Sequence, residues 1–161
     1  MNVDLDVQYA IADEDGEPPS PELIRAWIEA ALSGQRDEAE LTVRIVAAEE
    51  IQQLNLNYRH QDKPTNVLSF PFEKIEGIDL PLLGDVVICA AVVAQEAQQQ
   101  NKPLLNHWAH MVVHGVLHLL GYDHIDEVEA EAMESLEIKV LQGLGISNPY
   151  AVDISSSTVI N

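Results

Sequence analysis

The sequence predicts an α+β fold, a single domain in which helices pack on one mixed sheet of about four strands. The chain has 161 residues, 47% of them hydrophobic, which is enough for one core and short for two. Segments with the two-residue period of strands interleave with segments of helical period. They do so without the regular alternation of a doubly wound sheet, so we expect a mixed sheet.

Four segments have the pattern of strands. Residues 3 to 9 alternate apolar side chains with Asp and Gln, which is the period of a half-buried strand. Residues 41 to 45 alternate in the same way. Two further strands are expected at residues 66–72 and 83–89, joined by the Gly- and Pro-containing segment 76–81.

Helices are predicted between these strands and after them. Ser20 followed by Pro21 is a good helix start, and Gly34 ends that helix. The other helical segments are 48–57, 90–100, 106–120 and 126–144. Asp126 and Glu129 have capping-box spacing at the start of the last one. Its apolar face is expected from residues four apart, namely Val128, Ala132, Leu136, Val140 and Leu144.

The expected boundaries are one domain over residues 1–145 and a frayed tail over 146–161, which ends in SSSTVIN. The N-terminus alternates apolar and acidic residues and lacks the positive stretch of a secretion signal. The longest apolar stretch is well below the ~20 residues of a membrane span. These features predict a cytoplasmic protein with no membrane partner.

The charge is strongly acidic but uneven. The formal net charge is −19, which disfavours long-range attraction to a polyanion. Arg59, His60 and Lys63 nevertheless fall within five residues, so a local positive patch can exist. The acidic runs are expected to be solvated surface.

Two histidines have the spacing of metal ligands on a helix. His114 and His118 are four residues apart in segment 106–120, so their imidazoles leave one face one turn apart. Gly121 permits a sharp chain reversal that can return His124 as a third ligand. Three neutral imidazoles with a fourth position open are typical of a catalytic zinc site. The sequence therefore predicts one Zn²⁺ ion per chain, on a central helix.

Neighbouring polar residues leave alternatives open. His107 and His110 lie on the same face as His114 and could form a competing ligand set. We expect instead that His110 lines the pocket or supports a ligand from behind, because one helix face presents only two adjacent turns to one ion. Asp123 is a candidate to orient a ligand imidazole, and ordinary turn chemistry explains it equally well.

The ligand spacing is shared with metzincin proteases, in which the first histidine is followed by a glutamate that acts as general base. Here that position is Gly115. Protease chemistry is therefore disfavoured. A metal alone can still lower the pKa of bound water to about 7 and polarise a phosphoryl oxygen, so phosphodiester cleavage fits what remains.

Phosphodiester cleavage calls for a fixed cation that holds the charge developing on the phosphate oxygens. Arginine suits this role because its guanidinium is planar and bidentate. Arg59 is the candidate, since it lies in a polar loop that enters a strand. From the sequence alone, an ordinary surface role for Arg59 is equally open.

Three motifs resemble one known family. HGVLHLLGYDH at 114–124, YRHQDKPTNVLSFPF at 58–72 and LLGDVVI at 82–88 are similar to the YbeY family of bacterial endoribonucleases, in order and in spacing. The resemblance runs from roughly Leu41 to Leu144. Asn66 stands where many members have aspartate, so no role for an acid is assigned there.

The resemblance implies a zinc-dependent, single-strand-specific endoribonuclease in ribosomal RNA processing. That role includes maturation of the 3′ end of the small-subunit RNA and ribosome quality control. It implies His114, His118 and His124 as zinc ligands, with His114 counted in the catalytic centre, and Arg59 as the catalytic or phosphate-binding arginine. The implied partners are single-stranded and ribosomal RNA and the small ribosomal subunit, with no DNA. We expect weak binding to free RNA, with contacts around Arg59, Lys63 and Lys102.

Two other functions stay open. One is a ribosome assembly factor without enzymatic activity, whose zinc is structural. The other is a metallopeptidase, which the ligand spacing alone suggests and Gly115 opposes. Within the nuclease hypothesis, the nucleophile is either a water on the metal or the 2′-hydroxyl of the RNA.

Overall fold

The computed structural model describes residues 1–73, 76–77, 80–123 and 125–151. Within them, strands and helices alternate irregularly. In chain order they are β1 (Asn2–Ala10), a 3₁₀ turn (Asp13–Asp15), α1 (Pro21–Leu32), β2 (Glu38–Val46), α2 (Ala48–Arg59), β3 (Val67–Pro71), β4 (Leu82–Cys89), α3 (Ala90–Gln99), α4 (Leu104–Leu119) and α5 (Glu127–Gly143).

The strands form one mixed sheet in the order β1-β2-β4-β3. β1 pairs parallel to β2, and β2 pairs parallel to β4. β3 runs antiparallel to β4 at the edge. This confirms the predicted single α+β domain with a four-stranded mixed sheet.

Both faces of the sheet are covered, which follows from the alternation of side chains along each strand. On β4, Val86 and Ile88 join the main core with α1, α4 and α5. Val87 and Cys89 point the other way, into a smaller cluster with Ile51 of α2. Cys89 is fully buried and serves as a core residue, and this burial raises the pKa of its thiol.

α4 is the centre of the domain. It packs against β3 and β4 and also contacts α1, α3 and α5. Because it has neighbours on most sides, its apolar residues are buried nearly all around the helix, including Val112, Val113, Val116 and Leu117. Each such side chain contributes about 1.5–3 kcal/mol through burial. A site on α4 is therefore built on an element that packs against neighbours on most of its sides.

The helix starts follow the predicted caps. The Ser20 side chain accepts a hydrogen bond from the Leu23 N–H, with Pro21 as the first helical residue. The Asp126 side chain accepts from the Glu129 N–H at 2.8 Å. These contacts satisfy amides that the helix itself leaves without partners.

The predicted apolar face of α5 was wrong by one residue. The buried stripe is Met133, Glu137 and Leu141, whereas Val128 is 77% exposed and Ala132 is also exposed. Leu136, Val140 and Leu144 are partly buried beside that stripe. The reason is that a carboxylate occupies the middle of the buried stripe, so hydrophobicity alone pointed to the adjacent row.

α2 is longer than predicted and includes Arg59. The helix ends at His60, which adopts a left-handed conformation with φ 59°. The His60 N–H donates to the Leu56 carbonyl, and the Gln61 N–H donates to the Asn55 carbonyl. These bonds satisfy the last carbonyls of the helix and place Arg59 on its final turn rather than in the following loop.

The described part of the segment expected to be frayed makes defined contacts. The Lys102 ammonium donates to the Pro149 carbonyl at 2.6 Å, and the Tyr150 hydroxyl donates to Glu137 at 2.6 Å. Residues 152–161 lie outside the described part. Among the described residues, none of the helices combines the length and apolar character needed to cross a membrane.

Candidate active site and metal centre

A cavity of about 590 Å³ opens between the end of α2, the edge strand β3 and the C-terminal half of α4. Three elements thus contribute side chains to one recess, with hydrogen-bonding groups predominating among them. They are Arg59, Thr65, Asn66, Val67, Leu68, Ser69, Pro71, His114, His118, Gly121, Tyr122 and Asp123. The structure therefore brings Arg59 and two of the predicted zinc ligands to the same cavity.

Arg59 reaches this cavity from the last turn of α2, and its side chain is exposed. The loop after it is tied back to the helix, because buried Asn55 donates from Nδ2 to the Lys63 carbonyl at 2.9 Å. Lys63 itself is exposed and is not among the residues that line the cavity. The guanidinium is thus carried by a fixed backbone and remains accessible.

His114 and His118 stand one turn apart on α4, as the spacing predicts. Their ring centroids are 4.7 Å apart, with an interplanar angle of 80°. Both side chains are half-buried and line the cavity. His124, the third predicted ligand, lies outside the described residues, whereas Asp123 lines the cavity.

Ser69 connects the edge strand to the helix that carries the histidines. Its Oγ donates to the carbonyl of Gly115 at 3.0 Å. This bond joins β3 to α4 beside His114. The bond fixes the cavity wall that carries Asn66 and Ser69 relative to the wall that carries the histidines.

A fully buried carboxylate lies behind His114. Glu137 of α5 is 0% exposed. Its Oε2 is 3.2 Å from His114 Nδ1, and its Oε1 is 2.6 Å from both His110 Nε2 and the Tyr150 hydroxyl. One carboxylate therefore accepts hydrogen bonds from three side chains, two on α4 and one in the segment after α5.

The charge on Glu137 is stabilised by these donors. Burial by itself raises the pKa of a carboxyl group. The hydrogen bonds from His110 and His114 outweigh it and lower the pKa of Glu137 from 4.5 to about 2. The pKa of Tyr150 is raised by burial and by its bond to Glu137. Glu137 is thus an anion, and the Tyr150 hydroxyl keeps its proton to donate.

Metal-ligating atoms meet in this region. Among the described residues, His110, His114 and Glu137 offer ligand atoms within 4.8 Å of one another and could hold a metal ion. The residues also fit zinc on the cavity side. His114 Nδ1 lies 3.2 Å from Glu137 Oε2, so Nε2 is the ring nitrogen that could bind an ion on the cavity side, and imidazole nitrogens are ligands that zinc accepts.

A second buried histidine belongs to another series of hydrogen bonds, which leads to the cavity. His107 is 3% exposed and its Nε2 is 2.9 Å from Glu96 Oε1. Asn66, which lines the cavity, donates from Nδ2 to both oxygens of Glu96 at 3.1 and 3.3 Å. Burial lowers the pKa of His107, and the bond to Glu96 opposes that shift. Lys102, whose pKa burial lowers, lies apart from the cavity-lining residues.

The sequence did not point to Glu137, Tyr150 or Glu96 as parts of the site. Glu137 stands among the many acids of α5, and only its place between Met133 and Leu141, four residues away on either side, set it apart. Tyr150 belongs to the segment that was expected to be frayed. For Glu137 and Tyr150, the role is decided by hydrogen-bond partners that are distant in the chain.

Known proteins are similar to this chain over the region that contains the cavity. A family model described as Endoribonuclease YbeY matches residues 10–145. A Thermotoga maritima protein, known from a solution structure, is 25% identical with a TM-score of 0.54. The alignment covers 89% of this chain and 93% of that protein. The match thus spans the whole cavity.

Proposed function

Because the chain belongs to the family of YbeY endoribonucleases, we propose that it is a zinc-dependent, single-strand-specific endoribonuclease that matures ribosomal RNA. Family membership makes it a nuclease acting on RNA in ribosomal RNA processing. The proposal adds the metal, the strand preference and the target. That target is the 3′ end of the small-subunit RNA, together with quality control of ribosomes.

One observation carries the proposal. Arg59, His114 and His118 line the same cavity, although the arginine and the histidines belong to different helices that are far apart in the chain. A fixed cation and a pair of imidazoles in one recess match the needs of phosphodiester cleavage. The phosphate would lie between them.

In this proposal His114, His118 and His124 hold the zinc ion. When bound there, zinc supplies Lewis-acid chemistry to a phosphoryl oxygen. His114 would bind the ion through Nε2, because its Nδ1 faces Glu137 at 3.2 Å. No glutamate can follow it as general base, because position 115 is glycine. This absence favours phosphodiesters over peptide bonds.

Arg59 would bind the scissile phosphate through its planar guanidinium, which can donate two parallel hydrogen bonds to phosphate oxygens. Its exposure leaves the donors accessible, and the cap at His60 together with the Asn55 anchor keeps the backbone in place. Pre-placed donors need no reorganisation when charge develops on the phosphate. Lys63, four residues further and exposed, would contact a neighbouring phosphate.

The recess favours single strands. A phosphate must approach residues on β3 and α4 inside the cavity, and an unpaired backbone can bend toward them while its bases splay out. A rigid duplex cannot. The net charge of −19 repels free RNA at long range, so we infer that the small ribosomal subunit presents the substrate through protein contacts.

The test couples metal analysis to cleavage of single-stranded RNA. Native chain should contain one zinc ion per chain and cleave single-stranded RNA in preference to a duplex of the same sequence. Arg59→Gln should retain zinc and lose at least about 100-fold in cleavage rate, as for removal of one transition-state donor. Arg36→Gln is the matched control, because Arg36 is also an arginine that lines a cavity, but a different one.

Other results would redirect the proposal. Native processing by a folded His114→Ala variant, with particle binding lost in Arg59→Gln, would favour an assembly factor with structural zinc. Activity on a casein digest with none on RNA would favour a peptidase. A 2′,3′-cyclic phosphate on the product would identify the RNA 2′-hydroxyl as the nucleophile.

A further inference from the structure

We propose that Glu137 is a positioning residue for the metal centre, which fixes the tautomer and the orientation of His114 from behind, and that His110 and Tyr150 hold Glu137 in place. The inference rests on the proposed function only in taking His114 as a zinc ligand. It assigns a role to three side chains that the cleavage chemistry itself does not use.

The burial of Glu137 calls for a cause. A carboxylate removed from water loses several kcal/mol of solvation unless close donors replace the water. Glu137 is 0% exposed, and both of its oxygens have donors: His114 on one, His110 and Tyr150 on the other. Such an arrangement is costly to assemble, and what it delivers is one acceptor aimed at His114 Nδ1.

The distances distinguish support from ligation. Two ligands of one tetrahedral zinc ion, each about 2.1 Å from it, are about 3.4 Å apart. His110 Nε2 and Glu137 Oε1 are only 2.6 Å apart, which is the length of a strong hydrogen bond. The Tyr150 hydroxyl lies at the same distance from the same oxygen. His110, His114 and Glu137 thus have the geometry of a hydrogen-bonded cluster.

Access leads to the same conclusion. His110 is 7% exposed and Glu137 is fully buried, so an ion between them would have no position open to a substrate. His114, by contrast, contacts both the buried carboxylate and the cavity. It reaches Glu137 through Nδ1 and lines the cavity with His118. A carboxylate behind a ligand imidazole fixes which nitrogen is protonated and raises the basicity of the other nitrogen.

The effect to expect is on metal affinity. Loss of such a supporting hydrogen bond typically costs roughly 10- to 100-fold in metal affinity. Glu137→Gln should therefore weaken zinc binding by roughly that factor, because a neutral amide cannot accept from both histidines and the tyrosine at once. Tyr150→Phe should have a smaller effect, since His110 and His114 still donate.

The experiment has two readouts on the full-length chain. The first is the zinc dissociation constant, by competition with a chelator, for native chain, Glu137→Gln, Tyr150→Phe and His118→Ala. Glu131→Gln is the matched control, because Glu131 is exposed on the same helix. The second is the tautomer of His114 in metal-free protein, from nitrogen chemical shifts of the imidazole.

Each outcome decides. Support requires the Nδ1–H tautomer at His114 in the native chain, weaker zinc binding in Glu137→Gln and unchanged binding in Glu131→Gln. An Nε2–H tautomer of His114 in the native chain overturns the proposal. This measurement is independent of whether any variant folds. Unchanged zinc affinity in Glu137→Gln also overturns the proposal, even if RNA cleavage stands. Zinc retained in His118→Ala but abolished in Glu137→Gln overturns it in favour of direct ligation by Glu137.

The proposed function can fail separately. If the native chain binds zinc but cleaves no RNA, the proposed function is lost while the affinities still test Glu137. If the native chain binds no zinc at all, the tautomer still tests the hydrogen-bonded arrangement. An Nδ1–H tautomer of His114 that is lost in Glu137→Gln supports the arrangement, and a native chain without the Nδ1–H tautomer overturns it.

Discussion

Gly115 and Val86 are in such close contact that a Cβ at position 115 would lie 2.6 Å from Val86 Cγ1 and 3.2 Å from its Cγ2. α4 therefore rests on β4 at this point with no space for a side chain. The glycine next to His114 is required by packing, and its carbonyl accepts the hydrogen bond from Ser69. This gives a structural reason why a glutamate cannot serve here as a general base.

Adding one methyl group at this contact should destabilise the domain. Gly115→Ala forces Val86 or the helix to move, which typically costs about 1–3 kcal/mol in an overpacked core. Chemical denaturation should show the loss in the free energy of unfolding. Gly143→Ala is the control, because a Cβ there has no neighbour within 4 Å. It should leave stability unchanged or raise it, since alanine is the better helix former. Equal losses in both variants would contradict the close-contact argument.

Arg59→Lys tests whether the guanidinium shape matters in addition to its charge. Lysine keeps the positive charge but cannot donate two parallel hydrogen bonds to a phosphate. We expect a cleavage rate at least about 10-fold lower than native, in the range of one lost charge-assisted hydrogen bond. Thermal unfolding should be unchanged, because Arg59 is exposed. A native rate in the Arg59→Lys variant would show that a point charge suffices.

Asn66 stands where the family resemblance has aspartate, and its contacts give a reason for the amide. Its amide donates to both oxygens of Glu96, while its own oxygen accepts from the Val67 N–H at 2.7 Å. Asn66→Asp would remove the donor and place two carboxylates together. We expect a loss of about 1–3 kcal/mol in the free energy of unfolding at neutral pH, from urea titration.

Glu96→Gln provides the partner for that experiment. In the double variant, the new glutamine amide can donate to the new aspartate carboxylate, so the pair should be more stable than the sum of the two single changes predicts. Additive losses would show that Asn66 and Glu96 are not coupled. Because Glu96 also bonds His107, the single variant Glu96→Gln must be measured on its own.

His107 should make stability depend on pH. Burial lowers its folded-state pKa from the ordinary 6.5, and Glu96 only partly offsets this. Below pH 6.5 the unfolded chain therefore binds a proton that the folded chain refuses, so the free energy of unfolding falls as pH falls toward the folded-state pKa. The comparison is native chain against His107→Gln, which keeps a donor for Glu96, in chelator so that metal does not contribute. Native stability should fall more steeply below pH 6.5. Parallel curves, or a native chain that gains stability on acidification, would contradict the sign.

Local patterns in the sequence were sufficient for the elements themselves. The two-residue alternation of residues 3 to 9, the caps at Ser20 and Asp126, and the four-residue spacing of His114 and His118 each depend on neighbours along the chain. Such short-range chemistry is the same in any context, so strands, helix starts and a pair of imidazoles on one face were predictable. The role of His124 as a third ligand stays a prediction.

Only the tertiary structure decided which residues meet. Glu137 lies 23 positions after His114, and only its spacing from Met133 and Leu141 distinguishes it from the other acids of α5. Its burial comes from the packing of that helix on α4. Packing likewise showed that Gly115 touches Val86 and that Arg59 shares a cavity with the histidines. The physical reason is that burial and hydrogen-bond partnership depend on contacts between distant segments, whereas periodicity and capping depend on the segment alone. The histidine-bearing face of α4 could thus be read locally, and the support behind it could not.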